Sequence, residues 1–479
     1  MIKKRCFTVG LILMIISGMV WAQDNQSGGR TYQPTVQSLD QHQVPEWYQD
    51  AKLGIFIHWG LYSVPAWAPT DVQLHQASMN QFFLNNPYAE WYLNSLRIDG
   101  SATQKYHYAT YGKDFNYYDF AKTFDKEIQK WDPKGMADLF KSVHARYVVL
   151  TTKHHEGFTL WPTQIRNPYL PFDEQQASRD LVGELTEAVR QDGMRMGLYY
   201  SGGIDWSFNP IVITGRDVWN LVTPQTDQYA QYADAQWREL IRRYRPAILW
   251  NDINYPDKGE TLQIFAEYYN RIPDGVINNR WNVNVHDITT PEYAQYDRIT
   301  PEKWESCRGI DKSFGYNRNS TDQQMLSVDE LIDSFVDIVS KNGNLLLDVG
   351  PKADGTIPES QVERLRGLGD WLTMNSEAIF GSRPWVHPEE TIDDGVEVRF
   401  TRKEDSGYAI LLQAPGTRRI TLHTVYAEDG TVITLLGGNG DLPWTQQGKD
   451  LTITLPRQLP GEHAYTLKMT PAPWRVVKQ

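Results

Sequence analysis

Short apolar runs recur along the first three quarters of the chain, and most follow a stretch whose apolar residues return at helical spacing. Runs over 52–58, 146–152, 195–200 and 246–252 read as strands buried on both faces, with further strands predicted over 275–280 and 344–349. Helices are predicted over 133–145, 180–192, 227–244, 261–271 and 359–374. The 227–244 helix sets Tyr229, Tyr232, Ala233, Trp237, Leu240, Ile241 and Tyr244 on one face and is stopped by Pro246. The clearest start signal is Ser327-x-x-Glu330, a capping box ahead of Val328, Leu331, Ile332, Phe335, Ile338 and Val339, and Asn342-Gly343 ends that helix.

Serial strand-helix units can form an open sheet or a closed barrel. An open nucleotide-binding sheet should carry a glycine-rich turn after its first strand, whereas this chain has His58-Trp59-Gly60 there. The segment also exceeds the roughly 250 residues of a plain barrel, which requires long loops at its mouth, 65–132 being the largest. Beyond Trp385 the period falls to two, over 396–400, 420–422, 451–455 and 465–469, with Gly, Asp and Pro turns between. The expected fold is therefore a (β/α)8-like TIM barrel over 44–385, followed by a C-terminal antiparallel β-sandwich over 386–479.

The N-terminus adds an address. Lys3, Lys4 and Arg5 precede an apolar run from Phe7 to Trp21, short for a spanning helix, and Val20-Trp21-Ala22 supplies the small residue before a cut. A cleaved export signal is expected over 1–22, which makes the protein periplasmic or secreted with no membrane anchor after signal removal. Residues 23–43, polar and rich in Gln, Ser and Gly, are expected to form a poorly ordered linker. Cys6 leaves with the signal and Cys307 remains alone, so no internal disulfide supports the fold.

The formal charge of −12 becomes −15 once the three signal cations are removed, and no basic run offsets it, which excludes a nucleic-acid partner. A neutral partner fits better. With 17 Trp and 26 Tyr the chain is rich in flat apolar rings carrying a polar tip, which suit the faces of a sugar.

Candidate chemistry gathers at the ends of the predicted strands. Ligands of barrel enzymes sit at the carboxyl ends, where this chain places His58, the pair His154-His155, and Asp252 after Trp250-Asn251. A metallohydrolase barrel would open with His-x-His, and no two histidines here are two apart; His-Glu-x-x-His and Gly-x-Ser-x-Gly are also missing. Carboxylates remain. Asp252 is the leading nucleophile, Asp205 stands beyond a double glycine, and Asp348 ends another strand ahead of Gly350-Pro351.

Long motifs then carry a resemblance. They are Lys52-Leu-Gly-Ile-Phe-Ile-His-Trp-Gly60, Ala89-Glu-Trp-Tyr92, Thr152-Lys-His-His-Glu-Gly-Phe158, Tyr199-Tyr-Ser201 and Leu249-Trp-Asn-Asp252. Asn279-Arg-Trp281, Ser313-Phe-Gly-Tyr-Asn317 and Asn344-Leu-Leu-Leu-Asp-Val-Gly-Pro351 follow. From about Trp47 to Trp385 the chain resembles the α-L-fucosidases of glycoside hydrolase family 29. The resemblance implies a retaining exo-glycosidase with a barrel, a C-terminal β-sandwich, and neither metal nor cofactor. Its nucleophile would be Asp252. His58, Glu90, Trp91, His154, His155, Tyr199 and Arg280 match positions that hold sugar hydroxyls or the catalytic carboxylate, and Phe56, Trp250 and Phe314 match an apolar wall around the C6 methyl. Thr289-Thr290-Pro291-Glu292-Tyr293 resembles the stretch carrying the acid/base, which makes Glu292 the candidate, with Glu302 and Glu305 as alternatives.

The expected partner is a fucosylated oligosaccharide or glycoconjugate. Two other readings keep the pocket: an α-L-galactosidase of the same mechanism, and a catalytically inactive fucose-binding protein, which would lack the carboxylate pair.

Overall fold

Gly54 is the second residue of β1 (Leu53–Ile57), where a Cβ would fall 2.2 Å from the Tyr147 ring, so its absence lets β2 (Tyr147–Lys153) close on one edge of the strand. β7 (Gly343–Val349) pairs with the other edge, and every residue of the three strands is buried. The computed structural model describes residues 30–70 and 79–473. Continuing outward from β2 come β3 (Arg195–Ser201), β4 (Ile248–Asp252) and β5 (Val276–Ile277), while β6 (Trp304–Gly309) lies beyond β7. All pairings are parallel.

The gap between β5 and β6 is spanned by residues 288–292. Isolated parallel bridges join Asn278 to Ile288, Thr289 to Trp304 and Glu292 to Cys307. Spatial order round the ring thus follows sequence order, which is the (β/α)8-like arrangement with an irregular sixth position. The strand expected over 275–280 shrinks to two residues for a local reason. The Asn278 amide takes over the ladder, its Nδ2 donating to the Asn251 carbonyl at 2.8 Å and its Oδ1 accepting from the Asn251 N–H at 3.1 Å.

The 65–132 insertion carries short helices, among them Tyr92–Arg97, Ala102–Thr110 and Phe120–Glu127. The helix with the capping box, Val328–Ser340, has the expected reciprocal bonds between Ser327 and Glu330. The helix expected over 359–374 runs on to Ile379.

The expected linker needs correction within 30–43. Thr35 caps a helical turn, the Tyr32 N–H donates to Asn270 Oδ1 at 2.7 Å, and the His42 ring stacks on Tyr269 at 3.9 Å while its Nδ1 meets Asp287 at 2.7 Å. Polar composition suggested disorder, but Tyr32 and His42 have partners more than two hundred residues away. Residues 23–29 and the export signal over 1–22 lie outside the described residues.

The sandwich begins slightly before the expected boundary, since β8 (Arg383–Thr391) already belongs to it. It adds β9 (Glu397–Lys403), β10 (Ser406–Leu411), β11 (Arg419–Leu422), β12 (Val432–Leu435), β13 (Trp444–Gln447), β14 (Asp450–Thr454) and β15 (Tyr465–Thr470). The sheets run β12-β15-β10-β9-β8 and β11-β14-β13, both antiparallel, and share a core that includes Val398, Leu411, Leu422, Ile453 and Leu467. Thr401 Oγ1 donates to the Ala378 carbonyl at 2.7 Å, and Arg399 Nε to Asp337 at 2.6 Å, which fastens this domain to the last barrel helices.

Candidate active site

The carboxyl ends of the barrel strands surround a cavity of about 530 Å³, and all twelve residues singled out in the sequence line it. Asp252, the last residue of β4, is held by three donors. Tyr199 Oη donates to Oδ2 at 2.7 Å, while Oδ1 accepts from Arg280 Nη1 at 2.7 Å and from the Ile253 N–H at 2.8 Å. Burial, with the Asp252 charge beside it, pushes the Tyr199 phenol well up, so it remains a donor.

Arg280 ties the two catalytic candidates together. The Nη1 that holds Asp252 also donates to Glu292 Oε1 at 2.5 Å, and Nη2 and Nε are fixed by the carbonyl and hydroxyl of Thr290 at 2.7 and 3.0 Å. Asp252 Oδ1 and Glu292 Oε1 are therefore no farther apart than the sum of 2.7 and 2.5 Å, about 5.2 Å. Burial alone would lower the Arg280 pKa, but Glu292, Cys307 and Asp252 together outweigh it and keep the cation charged. Its guanidinium lies 4.5 Å over the Trp250 ring. Glu292 is the more open carboxylate, with 43% of its side chain exposed against 10% for Asp252.

Three imidazoles form the opposite wall. His58 Nδ1 shares a 2.6 Å hydrogen bond with Asp348 Oδ1. Burial pushes His58 down, helped by His154 and Arg280, and pushes Asp348 up, helped by Glu90 and Asp311, so both favour neutral forms. His155 Nδ1 lies 2.7 Å from Ser201 Oγ, whose own proton goes to the Ile204 carbonyl at 2.7 Å. Ser201 is thereby the acceptor and His155 carries its proton on Nδ1. His154 lies between them, its ring 3.9 Å from His155 and stacked on Tyr199 at 5.8 Å. Glu90 comes from the 65–132 insertion and accepts from the Gly315 N–H at 2.8 Å; burial raises its pKa. Its neighbour Trp91 packs edge-on to His155 at 5.3 Å.

The floor is aromatic. Phe56 meets Trp250 at 5.0 Å, and Trp250 lies against Tyr199 at 5.5 Å. Phe314 joins this wall through His58, which it meets at 4.9 Å.

The rival carboxylates lie elsewhere. Asp205 is fully buried in a 2.7 Å ion pair with Lys153, and Asp348 is taken up with His58. Glu305 lies beneath the floor, where Trp250 Nε1, Tyr48 Oη and Tyr147 Oη all donate to it, and Glu302 precedes β6 at the far end of the strands. Neither Glu302 nor Glu305 lines the cavity. Among the described residues, no three His, Cys, Asp or Glu side chains are arranged to hold a metal ion.

Sequence reasoning missed Phe82, Phe83, Asn86 and Tyr88 from the insertion, and Trp219 from the loop after β3. Nothing local marks these as cavity residues. Ile253 and Asn279 also line it, and their places beside Asp252 and Arg280 were a usable signal. Cys307 lies against Arg280, and burial pushes its thiol up.

Comparison with known proteins agrees along the chain. Residues 19–377 match the family model described as alpha-L-fucosidase, and residues 390–470 match the alpha-L-fucosidase C-terminal domain. The tissue alpha-L-fucosidase of Rattus norvegicus is 34% identical over 494 residues, covering 98% of this chain and 99% of its own. That of Homo sapiens is 34% identical, with 96% of each chain covered. A crystal structure of Thermotoga maritima alpha-fucosidase in complex with a mechanism based inhibitor superposes with a TM-score of 0.85 at 44% identity, covering 92% of this chain and 100% of that one. A family model spanning most of the sequence, with relatives this similar from end to end, means that the chain belongs to the α-L-fucosidase family, glycoside hydrolase family 29.

Proposed function

We propose that this chain is an exported α-L-fucosidase that releases terminal α-L-fucose with net retention, using Asp252 as nucleophile and Glu292 as acid/base. The observation that carries the reading is the shared Arg280 Nη1. It brings one oxygen of each carboxylate within about 5.2 Å. Retaining glycosidases keep their carboxyl groups about 5 to 5.5 Å apart, whereas inverting ones leave about 6.5 to 9.5 Å for a water.

In this mechanism a carboxylate oxygen of Asp252 attacks C1 and forms a glycosyl ester while the C1–O bond breaks. Glu292 protonates the departing oxygen, after moving off Arg280. A water then takes the aglycone's place, Glu292 removes its proton, and attack at C1 frees Asp252. Arg280, Tyr199 and the Ile253 N–H orient Asp252 throughout. A pocket closed by Phe56 and Trp250 suits a terminal sugar, and the similar Thermotoga maritima alpha-fucosidase has been crystallised in complex with fucose. Export is supported by Lys3, Lys4 and Arg5 ahead of the 7–21 apolar run.

Proton NMR during hydrolysis of a nitrophenyl α-L-fucoside tests the stereochemistry. α-Fucose should appear first and mutarotate later; β-fucose as first product overturns the retaining mechanism.

A further inference from the structure

Two of the three cavity imidazoles have an oxygen bonded behind them. His58 Nδ1 has Asp348 at 2.6 Å, and His155 Nδ1 has Ser201 at 2.7 Å. In each ring this leaves Nε2 as the atom free to meet a ligand. His154 has no such bond: its Nδ1 is buried without a partner among the described residues.

Glu156 has the complementary defect. Its Oε2 is buried and unpartnered, the residue is 1% exposed, and it does not line the cavity. The two orphan atoms face each other at 3.6 Å, within range of charge attraction and just beyond a hydrogen bond. Lys153 also feels the Glu156 charge, but its hydrogen bond goes to Asp205 at 2.7 Å.

The local fold is shaped to put this carboxylate there. After β2 the chain turns back, the Gly157 N–H donating to the His154 carbonyl at 3.2 Å and Tyr118 Oη to the Glu156 carbonyl at 2.6 Å. Gly157 has φ +87°, and a Cβ there would lie 2.9 Å from Asp205, so this turn requires glycine. On the far side the Glu156 carboxylate approaches Gly60, where a Cβ would lie 3.3 Å from Oε1.

We propose that Glu156 is a positioning residue for His154: when a sugar fills the cavity, the 3.6 Å gap closes to a hydrogen bond from Nδ1–H to the carboxylate, fixing Nε2 on a sugar hydroxyl. Part of the binding interaction is then the His154–Glu156 hydrogen bond itself, made with substrate in place. An unpaired buried acceptor beside an unpaired buried donor is costly, and closing the gap removes both defects at once.

This inference rests on the fucoside-hydrolase reading, and a double-mutant cycle separates the two. With a nitrophenyl α-L-fucoside, Glu156→Gln in the parent, which keeps an acceptor of the same shape but removes its charge, should lower kcat/KM about 5- to 10-fold, the difference between a charge-assisted and a neutral hydrogen bond. In a His154→Ala background the same substitution should change it less than about twofold, because a group acting through His154 has nothing left to act on. An equal loss in both backgrounds, or no loss in either, overturns the role; a parent enzyme with no turnover overturns the fucosidase reading instead. If Glu156→Gln does not fold, a crystal structure of the parent soaked with L-fucose decides. An Nδ1 to Oε2 distance of about 3 Å is expected, and a gap that stays open with sugar bound refutes the proposal.

Discussion

Tyr199 lies one strand away from Asp252 and donates its hydroxyl to Oδ2 at 2.7 Å, while its ring stacks on Trp250 at 5.5 Å. The two contacts are separable, because removing the oxygen leaves the stack. Tyr199→Phe should therefore fold as the parent does and lose about 10- to 100-fold in kcat/KM on a nitrophenyl fucoside, matching roughly 1.5–3 kcal/mol for a hydrogen bond to a charged group. Unchanged kinetics would mean that Arg280 and the Ile253 N–H hold Asp252 without help.

The aromatic floor predicts selectivity at C6. Phe56 and Trp250 present ring carbon to the cavity, Phe314 reaches the same wall through His58, and the proposed function sets the C6 methyl of a deoxy sugar against these rings. An α-L-galactoside adds a hydroxyl there, and a site of this kind distinguishes such a pair by about 1–3 kcal/mol. The ratio of kcat/KM for nitrophenyl α-L-fucoside over α-L-galactoside should be roughly 10 to 200. Equal rates would favour the galactosidase reading.

Stability should depend on pH through Asp311. Burial pushes its carboxyl up to about 6, and the side chain is 4% exposed. In the unfolded chain the same group titrates near 3.9. Below about pH 4 it is protonated in both states and contributes nothing to the pH dependence. As pH rises from about 4 to 6 the unfolded chain ionises first, so stability falls through that window, by at most about 3 kcal/mol. Asp311→Asn lacks this titration, and its unfolding midpoint relative to the parent should improve between pH 4 and pH 7. A difference that is the same at both pH values refutes the assignment.

How much of this was legible in the sequence follows from where each residue finds its partners. The strands β1, β2 and β4 are apolar runs buried on both faces, and they could be read directly. β6 is missing from the predicted strands because it carries Glu305 and Arg308, whose polarity is satisfied by Trp250, Tyr48, Tyr147 and Ser334 from distant segments. His42 reads as linker for the same reason, since Asp287 and Tyr269 are far away in sequence. In the site, residues within long motifs were found, whereas Phe82, Tyr88 and Trp219 reach the cavity by tertiary folding of loops that carry no period. The shared grip of Arg280 on both carboxylates is likewise a property of three separate strand ends.

The sharpest test of the two carboxylates uses the leaving group. Asp252→Ala removes the atom that attacks C1, so every fucoside should lose activity whatever its aglycone. Glu292→Ala removes the proton delivered to the departing oxygen, a contribution of about 10² to 10⁴. Natural glycans leave as poor alkoxides and should feel that loss in full, whereas a nitrophenolate departs without a proton and its first step should be much less affected. The second step still lacks its base, so the fucosyl-enzyme should accumulate, visible by mass spectrometry as one added deoxyhexosyl group on Asp252. Azide, a small anionic nucleophile needing no base, should restore turnover in Glu292→Ala, whereas Asp252→Ala forms no glycosyl ester for azide to attack. Glu292 also loses its bond to Arg280 Nη1 in this variant, which frees that donor for Asp252 alone and should not weaken binding of the sugar. If Glu292→Ala cleaves fucosylated oligosaccharides at the parent rate, the proton comes from another group, and Glu90, the remaining carboxyl that lines the cavity, becomes the residue to replace next.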